Sequence, residues 1–270
     1  MEPIKEPGDA PDRYCITELL AATHNSKIYH AFDRETHAQL AIKKCLVYDE
    51  FYREVAVSSN IFSRGHNNYI VPIIDCVIEQ KYLIMPYMAG GNLWDLRKNK
   101  EGLSPEECFA VAAQVGLALQ EIHASGVIHN DVKTGNILLA DAEHFSERTS
   151  LVKLTDFGLS SGSYGEPGWR VGTTQYMAPE KFDPPCKPAP ALDIYSLGLV
   201  VHEMLTDTLL YKDIDFYFPH MKIQKEIPPH EKIPEKCLKV IRTACELDPA
   251  NRYKSAVEMT SDLEKAVYGC

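Results

Sequence analysis

The segment that most constrains the fold of this chain is residues 129–138, which reads His-Asn-Asp-Val-Lys-Thr-Gly-Asn-Ile-Leu. It places a carboxylate at Asp131, a cation at Lys133 and a side-chain amide at Asn136 on one short loop that leads into an apolar run. A single Asp in a loop is usually only a turn former. The order of motifs is far more specific, because the loop is followed by Asp156-Phe157-Gly158 and then by Ala178-Pro179-Glu180.

This ordered set resembles the catalytic core of a eukaryotic-type (Hanks-type) Ser/Thr protein kinase, with His-Asn-Asp in place of the more common His-Arg-Asp. The motif pattern covers about Tyr14 to Leu263. The resemblance implies an α+β, two-lobed protein kinase fold over residues 14–266. Its small β-rich N-lobe would occupy residues 14–87 and its larger, mainly helical C-lobe residues 88–266. Residues 1–13 are expected to form a flexible N-terminal segment.

The resemblance also implies the roles of the four most informative side chains. Asp131 would accept or orient the substrate hydroxyl, and Lys133 would neutralise the γ-phosphate of ATP. Asn136 and Asp156 would be the metal ligands, since they supply the hard oxygen atoms that Mg²⁺ requires. The implied cofactors are therefore ATP and Mg²⁺, and the implied partner is a protein that carries a Ser or Thr target.

Upstream, Ala41-Ile42-Lys43 resembles the strand whose Lys contacts the α- and β-phosphates. Glu54 is the candidate ion-pair partner for Lys43, but the spacing between them is short for the family, and Glu50 stays open as the alternative. The run 81–88 resembles the strand that enters the adenine site. The implied nucleotide-binding residues are Lys43, Glu54, Ala21, Ile28, Ala41, Met85, Pro86, Met88, Asn136, Leu138 and Asp156.

Three features depart from the family pattern. Ala21, Thr23 and Ser26 stand where the phosphate-binding loop normally has glycines, which allow backbone amides to approach phosphates closely. Asn130 replaces an Arg that normally receives a phosphate on the activation segment, so activity is expected not to depend on phosphorylation there. Residues 140–150 lengthen the link to Asp156, as a solvated hairpin or as a docking element.

Composition limits the other classes of function. The formal net charge is −10, from 38 acidic and 28 basic residues, which disfavours a nucleic-acid binder. The eight cysteines include no C-x-x-C pair and lie mostly in apolar segments, which is typical of reduced thiols. No signal peptide and no membrane span is recognised, so a cytoplasmic location is expected. The sequence gives no indication of oligomeric state.

The hydrophobic pattern predicts strands over 14–20, 27–32, 39–46, 69–78 and 81–85, and a helix over about 49–62. Ser104-Pro105-Glu106-Glu107 predicts a capped helix start, and Gly126 a helix end. Residues 222–239 mix charges with prolines and are interpreted as solvated surface. Two buried contacts are expected as well, namely an ion pair between Glu180 and Arg252 and an anchoring role for Asp193 beneath the catalytic loop.

The sequence therefore favours an ATP- and magnesium-dependent Ser/Thr protein kinase. The alternative is a pseudokinase that acts as a scaffold or allosteric binding module, which the missing glycines favour and the intact charged residues oppose. A small-molecule phosphotransferase is the third possibility, but such an enzyme would not need the peptide platform at 172–180.

Overall fold

The computed structural model describes residues 12–65, 67–141, 151–162, 171–182, 185–212 and 227–269. Two expectations fall largely outside these ranges, namely the hairpin or docking element at 140–150 and the flexible character of residues 1–11. Arg13 lies within them, and its guanidinium donates to the Asp33 carboxylate at 2.7 Å. The flexible segment over residues 1–13 stays a prediction.

A five-stranded antiparallel sheet forms the N-lobe, in the order β1-β2-β3-β5-β4. Alternation along β3 gives the sheet two different faces, since successive side chains of a strand point to opposite sides. Leu40 and Ile42 pack into an apolar cluster with Tyr29 and Ile84 on one face. The strands are β1 (Tyr14–Ala22), β2 (Ser26–Asp33), β3 (Gln39–Cys45), β4 (Asp75–Val77) and β5 (Tyr82–Pro86).

The helix α1 (Tyr48–Phe62) packs on the other face of the N-lobe sheet. Phe51, Glu54, Ser58 and Ile61 are buried at helical spacing, so one stripe of α1 faces inward. A carboxylate within that stripe is costly to bury unless it is paired. Glu54 therefore requires a cation from the sheet.

Helices dominate the C-lobe. The central helix α3 begins at Pro105, where Ser104 accepts from the Glu107 amide and the Glu107 side chain accepts from the Ser104 amide, as the sequence predicts. After α3 the chain turns at Gly126, whose φ of +74° is left-handed. The helices are α2 (Leu93–Lys100), α3 (Pro105–Ala124), α4 (Pro190–Thr206), α5 (Glu235–Ala244) and α6 (Ala256–Tyr268).

A short two-stranded ribbon carries the catalytic segments. β6 (Ile137–Leu139) and β7 (Val152–Leu154) pair antiparallel at the edge of the C-lobe core, which also holds α3 and α4. Because 134–136 and 155–158 flank these strands, the pairing brings two distant segments of the chain together. This fold is the two-lobed architecture that the sequence predicts, with a β-rich N-lobe and a helical C-lobe.

Two local predictions are wrong in part. The run 69–78 forms only the three-residue β4, and Ile70 instead makes an isolated bridge to Leu154 in the other lobe. The prediction of solvated surface over 222–239 holds for most of the described residues, but it is wrong for Ile227 and Ile233, which are buried, and for Cys237 and Leu238, which pack into the C-lobe core. The sequence did not predict this burial, because Ile227 and Ile233 are isolated apolar residues among prolines and charges and no periodic pattern surrounds them.

Candidate active site

Lys43 joins the two lobes. Its ammonium lies 2.7 Å from Glu54 Oε2 and 2.8 Å from Asp156 Oδ1, although the three residues come from β3, α1 and the segment after β7. Glu50, the alternative partner, accepts instead from Asn25 Nδ2 at 2.8 Å. The structure thus pairs Lys43 with Glu54, one helical turn further along α1 than Glu50.

The charges of this cluster support one another. Burial alone would lower the pKa of Lys43, but the carboxylates of Asp156 and Glu54 raise that pKa well above its usual value. Burial opposes ionisation of Asp156 as well, yet the Lys43 ammonium lowers the pKa of Asp156 to about 2. At neutral pH the site therefore holds a charged ammonium against a charged carboxylate.

Asp156 has an unusual backbone conformation. Its φ of +72° lies in the left-handed region, which non-glycine residues adopt infrequently. Gly158 then follows, and its carbonyl accepts from Arg53 Nη1 at 2.7 Å. This contact ties the segment to α1 independently of Lys43, so the Asp156 carboxylate is fixed from two directions.

The Asp131 carboxylate accepts four hydrogen bonds. Thr173 donates to Oδ1 through its amide at 2.9 Å and its hydroxyl at 2.8 Å. Oδ2 accepts from Lys133 Nζ at 2.7 Å and from Asn136 Nδ2 at 3.0 Å. A carboxylate has about four lone-pair sites. Its acceptor capacity is therefore fully used, and a hydroxyl that enters the site has to displace one of these donors.

Asn136 is held by its side-chain nitrogen. Its nitrogen donates to the Asp131 carbonyl at 2.9 Å as well as to the carboxylate. Asn136 occupies a short 3₁₀ turn that leads into β6, and its side chain lines the same cavity as Asp156. The two predicted metal ligands thus line one cavity.

Buried hydrogen bonds fix the loop that carries Asp131. Asp193, which is fully buried in α4, accepts from the His129 amide at 2.8 Å and from the Asn130 amide at 2.9 Å. His123 Nε2 adds a third contact to the same carboxylate at 2.8 Å. Burial opposes ionisation of Asp193, and these partners keep its pKa below the usual value. The expected anchoring role of Asp193 is present.

His129 contributes a second brace. Its Nδ1 accepts from the Asp131 amide at 3.2 Å, and its Nε2 donates to the Thr155 carbonyl at 3.1 Å. Because a carbonyl only accepts, the ring proton sits on Nε2. His129 therefore links the residue before Asp156 to Asp131 across the cleft.

A cavity of about 420 Å³ lies between the lobes. Met85 and Pro86 close it at the end of β5, and Lys43 and Asp156 form its polar end. Glu54 stands behind Lys43. The predicted nucleotide-binding residues that line the cavity are Ala21, Ile28, Ala41, Lys43, Met85, Pro86, Met88, Asn136, Leu138 and Asp156.

The lid over this cavity is the β1–β2 turn. Thr23 and Ser26, two of the three positions without glycine, close the turn through a backbone bond from the Thr23 amide to the Ser26 carbonyl at 2.8 Å. The Thr23 hydroxyl also accepts from the Ser26 amide at 3.0 Å. These side chains give the turn a regular hydrogen-bonded form in place of glycine.

The segment after the cavity is anchored at its far end. Arg252, whose side chain is fully buried, forms a two-pronged ion pair with Glu180 at 2.6 and 2.8 Å, as the sequence predicts. This pair holds the 3₁₀ turn Pro179–Phe182 against the loop before α6. The platform that precedes it, including Thr173, is thereby fixed relative to α4.

Three contributors to the site were not found by sequence reasoning. Asn25 ties the lid to α1, and Lys181 donates to Asn130 Oδ1 at 3.0 Å, although no cation was expected near Asn130. Asn92 and Asp95, at the start of α2, line the cavity. Only α2 left a signal, since an Asn followed three residues later by an acid is a recognisable helix start.

The protein kinase domain family matches residues 15–262, so the chain belongs to the protein kinase family. A probable serine/threonine-protein kinase of Clostridium perfringens is 29% identical over 94% of this chain. Serine/threonine-protein kinase PknB of Mycobacterium tuberculosis is 28% identical over 97%, and PknD of Chlamydia pneumoniae is 29% identical over 96%.

The chain spans only 38%, 44% and 31% of the lengths of these three relatives, respectively. The similarity thus concerns their kinase domains. Within the parts of the chain that the structure describes, none of the helices combines the length with the hydrophobicity that a bilayer crossing requires.

Proposed function

We propose that this domain is a Ser/Thr protein kinase that transfers the γ-phosphate of Mg-ATP to Ser or Thr hydroxyls of a protein substrate. The observation that carries the proposal is the contact of Lys43 with both Glu54 and Asp156 across the cleft. That contact assembles one polar site from both lobes, at the end of a cavity of suitable size for a nucleotide.

The residues divide the work as follows. The apolar walls near Met85 and Leu138 hold the base, and the Lys43 ammonium holds the α- and β-phosphates. Asp156 and the Asn136 oxygen fit a magnesium ion, because Mg²⁺ takes few protein oxygens and completes its shell with water and phosphates. When bound, the ion neutralises charge on the transferring phosphoryl group.

Asp131 orients the substrate hydroxyl and receives its proton. Lys133, which already contacts Asp131 at 2.7 Å, neutralises charge that develops on the γ-phosphoryl oxygens. Thr173 sits on the same carboxylate and marks where a substrate hydroxyl of similar size would lie. This arrangement supports a Ser or Thr target rather than a larger aromatic one.

The pseudokinase alternative finds no support in the relatives, which are named as kinases. The seven cysteines among the described residues are free thiols, which supports the proposed cytoplasmic location because that compartment keeps thiols reduced.

The decisive experiment measures phosphate transfer from labelled ATP with Mg²⁺ and a generic protein substrate, beside an Asp131→Asn variant. We expect labelled phosphoserine or phosphothreonine from the native chain and a loss of about 10² to 10⁴ in rate for the variant. Equal labelling by both proteins would contradict the proposal, as would ATP binding without any transfer by the native chain.

A further inference from the structure

Lys181 is a buried lysine whose ammonium, among the residues that the structure describes, contacts neutral acceptors and no carboxylate. It is 4% exposed, in the 3₁₀ turn after Pro179. Its ammonium donates to Asn130 Oδ1 at 3.0 Å and to the Val171 carbonyl at 2.8 Å. Both acceptors are neutral. The ammonium therefore binds a side-chain amide oxygen and a backbone carbonyl from two separate segments of the chain, and not a counter-ion.

Stability alone does not explain a lysine at this position. Taking an ammonium out of water is expensive, and apolar residues of similar volume often replace buried charges without loss of stability. Burial accordingly lowers the pKa of Lys181, against the opposing influence of Asp193, Asp131 and Glu180. The lysine therefore has to contribute something that an apolar residue of similar volume, such as methionine, would not.

One end of the contact is the residue before Asp131. Asn130 has a left-handed φ of +67°, and its amide nitrogen donates to Ser161 Oγ at 2.8 Å and to the Leu159 carbonyl at 3.1 Å. Asn130 thus joins the catalytic loop to the segment that follows Gly158. Its oxygen, the remaining end of the amide, is the atom that Lys181 holds.

The second acceptor of Lys181, the Val171 carbonyl, lies two residues before Thr173, which donates to Asp131. Val171 is followed by Gly172, which packs so closely on the Asn130 carbonyl that an added Cβ would lie 2.5 Å from that oxygen. Thr173 comes next and donates twice to Asp131 Oδ1. Lys181 therefore binds both segments that meet at this junction. One is the loop that carries Asp131, and the other is the segment that carries Thr173.

We infer that Lys181 is a positioning residue for phosphoryl transfer, which sets the distance between the catalytic loop and the Thr173 segment. The inference rests on the proposed function and adds to it a residue outside the nucleotide cavity and the Asp131 contacts. It also places a cation against position 130, which is itself neutral.

The test compares Lys181→Met with Lys187→Met. Lys187 is exposed on the neighbouring connection to α4, so its variant controls for the loss of one positive charge. A displacement of Asp131 should lower kcat by about tenfold to a hundredfold and leave the KM for ATP nearly unchanged, because misplaced reacting groups cost rate rather than nucleotide binding. Native kinetics for both variants would overturn the inference.

Two further measurements separate positioning from a merely structural role. Hydrogen exchange should show faster exchange of the Thr173 amide in Lys181→Met but not in Lys187→Met, and equal protection in both would overturn the inference. A double variant, Asn130→Arg/Lys181→Ala, moves the positive charge from position 181 to position 130. It should recover part of the kcat that is lost in Lys181→Met. Failure to recover, together with a raised KM for ATP, would assign Lys181 to general folding instead.

These outcomes stay distinct from failure of the proposed function. If the native chain transfers no phosphate, the kinase proposal fails, whereas the exchange of the Thr173 amide still decides whether Lys181 holds the junction.

Discussion

The lid and the catalytic loop face each other across one cavity, but they are held in opposite ways. The lid turn at Thr23–Ser26 is largely exposed and is closed by bonds within the turn, with the Asn25–Glu50 contact as its link to α1. In the catalytic loop, His129 is fully buried and Asp131 is 6% exposed. Contacts from α4 and from the segment after β7 converge on that loop.

This difference explains which departures from the family pattern the chain tolerates. A Cβ on an exposed turn changes how closely the turn approaches a ligand, but it disturbs no buried contact. In the catalytic loop, by contrast, each buried polar atom depends on a partner, and an unpaired one costs about 1–3 kcal/mol. The lid accordingly lacks all three glycines, while the departure within the buried loop, Asn130, has both ends of its side-chain amide paired. Lys43, Asp131, Asn136 and Asp156 are intact.

Among the variants that test the contrast between the lid and the buried site, Lys43→Met should have the largest effect on the rate of phosphate transfer. Removal of the ammonium leaves Glu54 buried without its cation and takes a positive charge from the nucleotide phosphates. We expect phosphate transfer to fall by about 10² to 10³, the range found when a key electrostatic donor is lost. Single-turnover rates with saturating ATP measure this.

Lys44→Met is the matched control for that variant, because the neighbouring lysine points to the opposite face of β3 and lies over the Tyr82 ring. A comparable loss of rate in Lys44→Met would show that the effect of Lys43→Met reflects damage to the sheet and not the missing contact in the cleft.

The support beneath the catalytic loop is tested by Asp193→Asn. The amide replaces a charged acceptor of three donors, and loss of one partner from a buried charged network costs about 3–5 kcal/mol of unfolding free energy. Urea unfolding measures this, with Asp262→Asn as the control, since Asp262 forms an exposed ion pair worth about 0–1 kcal/mol.

The pH dependence of that difference has a definite sign. The folded-state pKa of Asp193 is depressed, so its contribution is present above the pKa of the unfolded chain, about 3.9, and is lost as the pH falls further. The difference in unfolding free energy between the native chain and Asp193→Asn should therefore be constant from pH 7 to about pH 5 and should shrink below about pH 4. A gap that already closes at pH 6 would contradict this assignment.

The smallest effect is expected in the lid. Restoring glycine at positions 21, 23 and 26 should lower the KM for ATP by about threefold to tenfold, the equivalent of about one net hydrogen bond, with kcat nearly unchanged. Asn25→Ala should shift the KM by a similar factor in the opposite direction, because it releases the lid from Glu50. A large change in kcat in either variant would mean that the lid takes part in the chemistry.

The sequence was most informative where chemistry and local pattern coincide. The loop at 129–138, the capped start of α3 and the ion pair of Glu180 with Arg252 all follow from motifs or caps, and the structure contains the predicted contacts. The choice between Glu50 and Glu54 stayed open, because one helical turn separates them and only the docking of α1 selects the inward stripe.

Long-range contacts between polar residues were beyond reach for a different reason. Lys181 and Asn130 are 51 positions apart, and neither has a periodic or motif signal that predicts the other. The burial of Ile227 and Ile233 was hidden similarly, since each is a single apolar residue among charges and prolines. Such contacts depend on the packing of the whole lobe and not on any local segment.

Because all acceptor sites of the Asp131 carboxylate are occupied, the proposed enzyme should hydrolyse little ATP in the absence of a substrate. With its four acceptor sites taken by Thr173, Lys133 and Asn136, the resting site offers no spare base to a stray water molecule. Water or a substrate alcohol therefore has to displace the Thr173 hydroxyl before it reaches the proton acceptor. Wasteful hydrolysis of bound triphosphate should therefore be slow until a substrate side chain arrives.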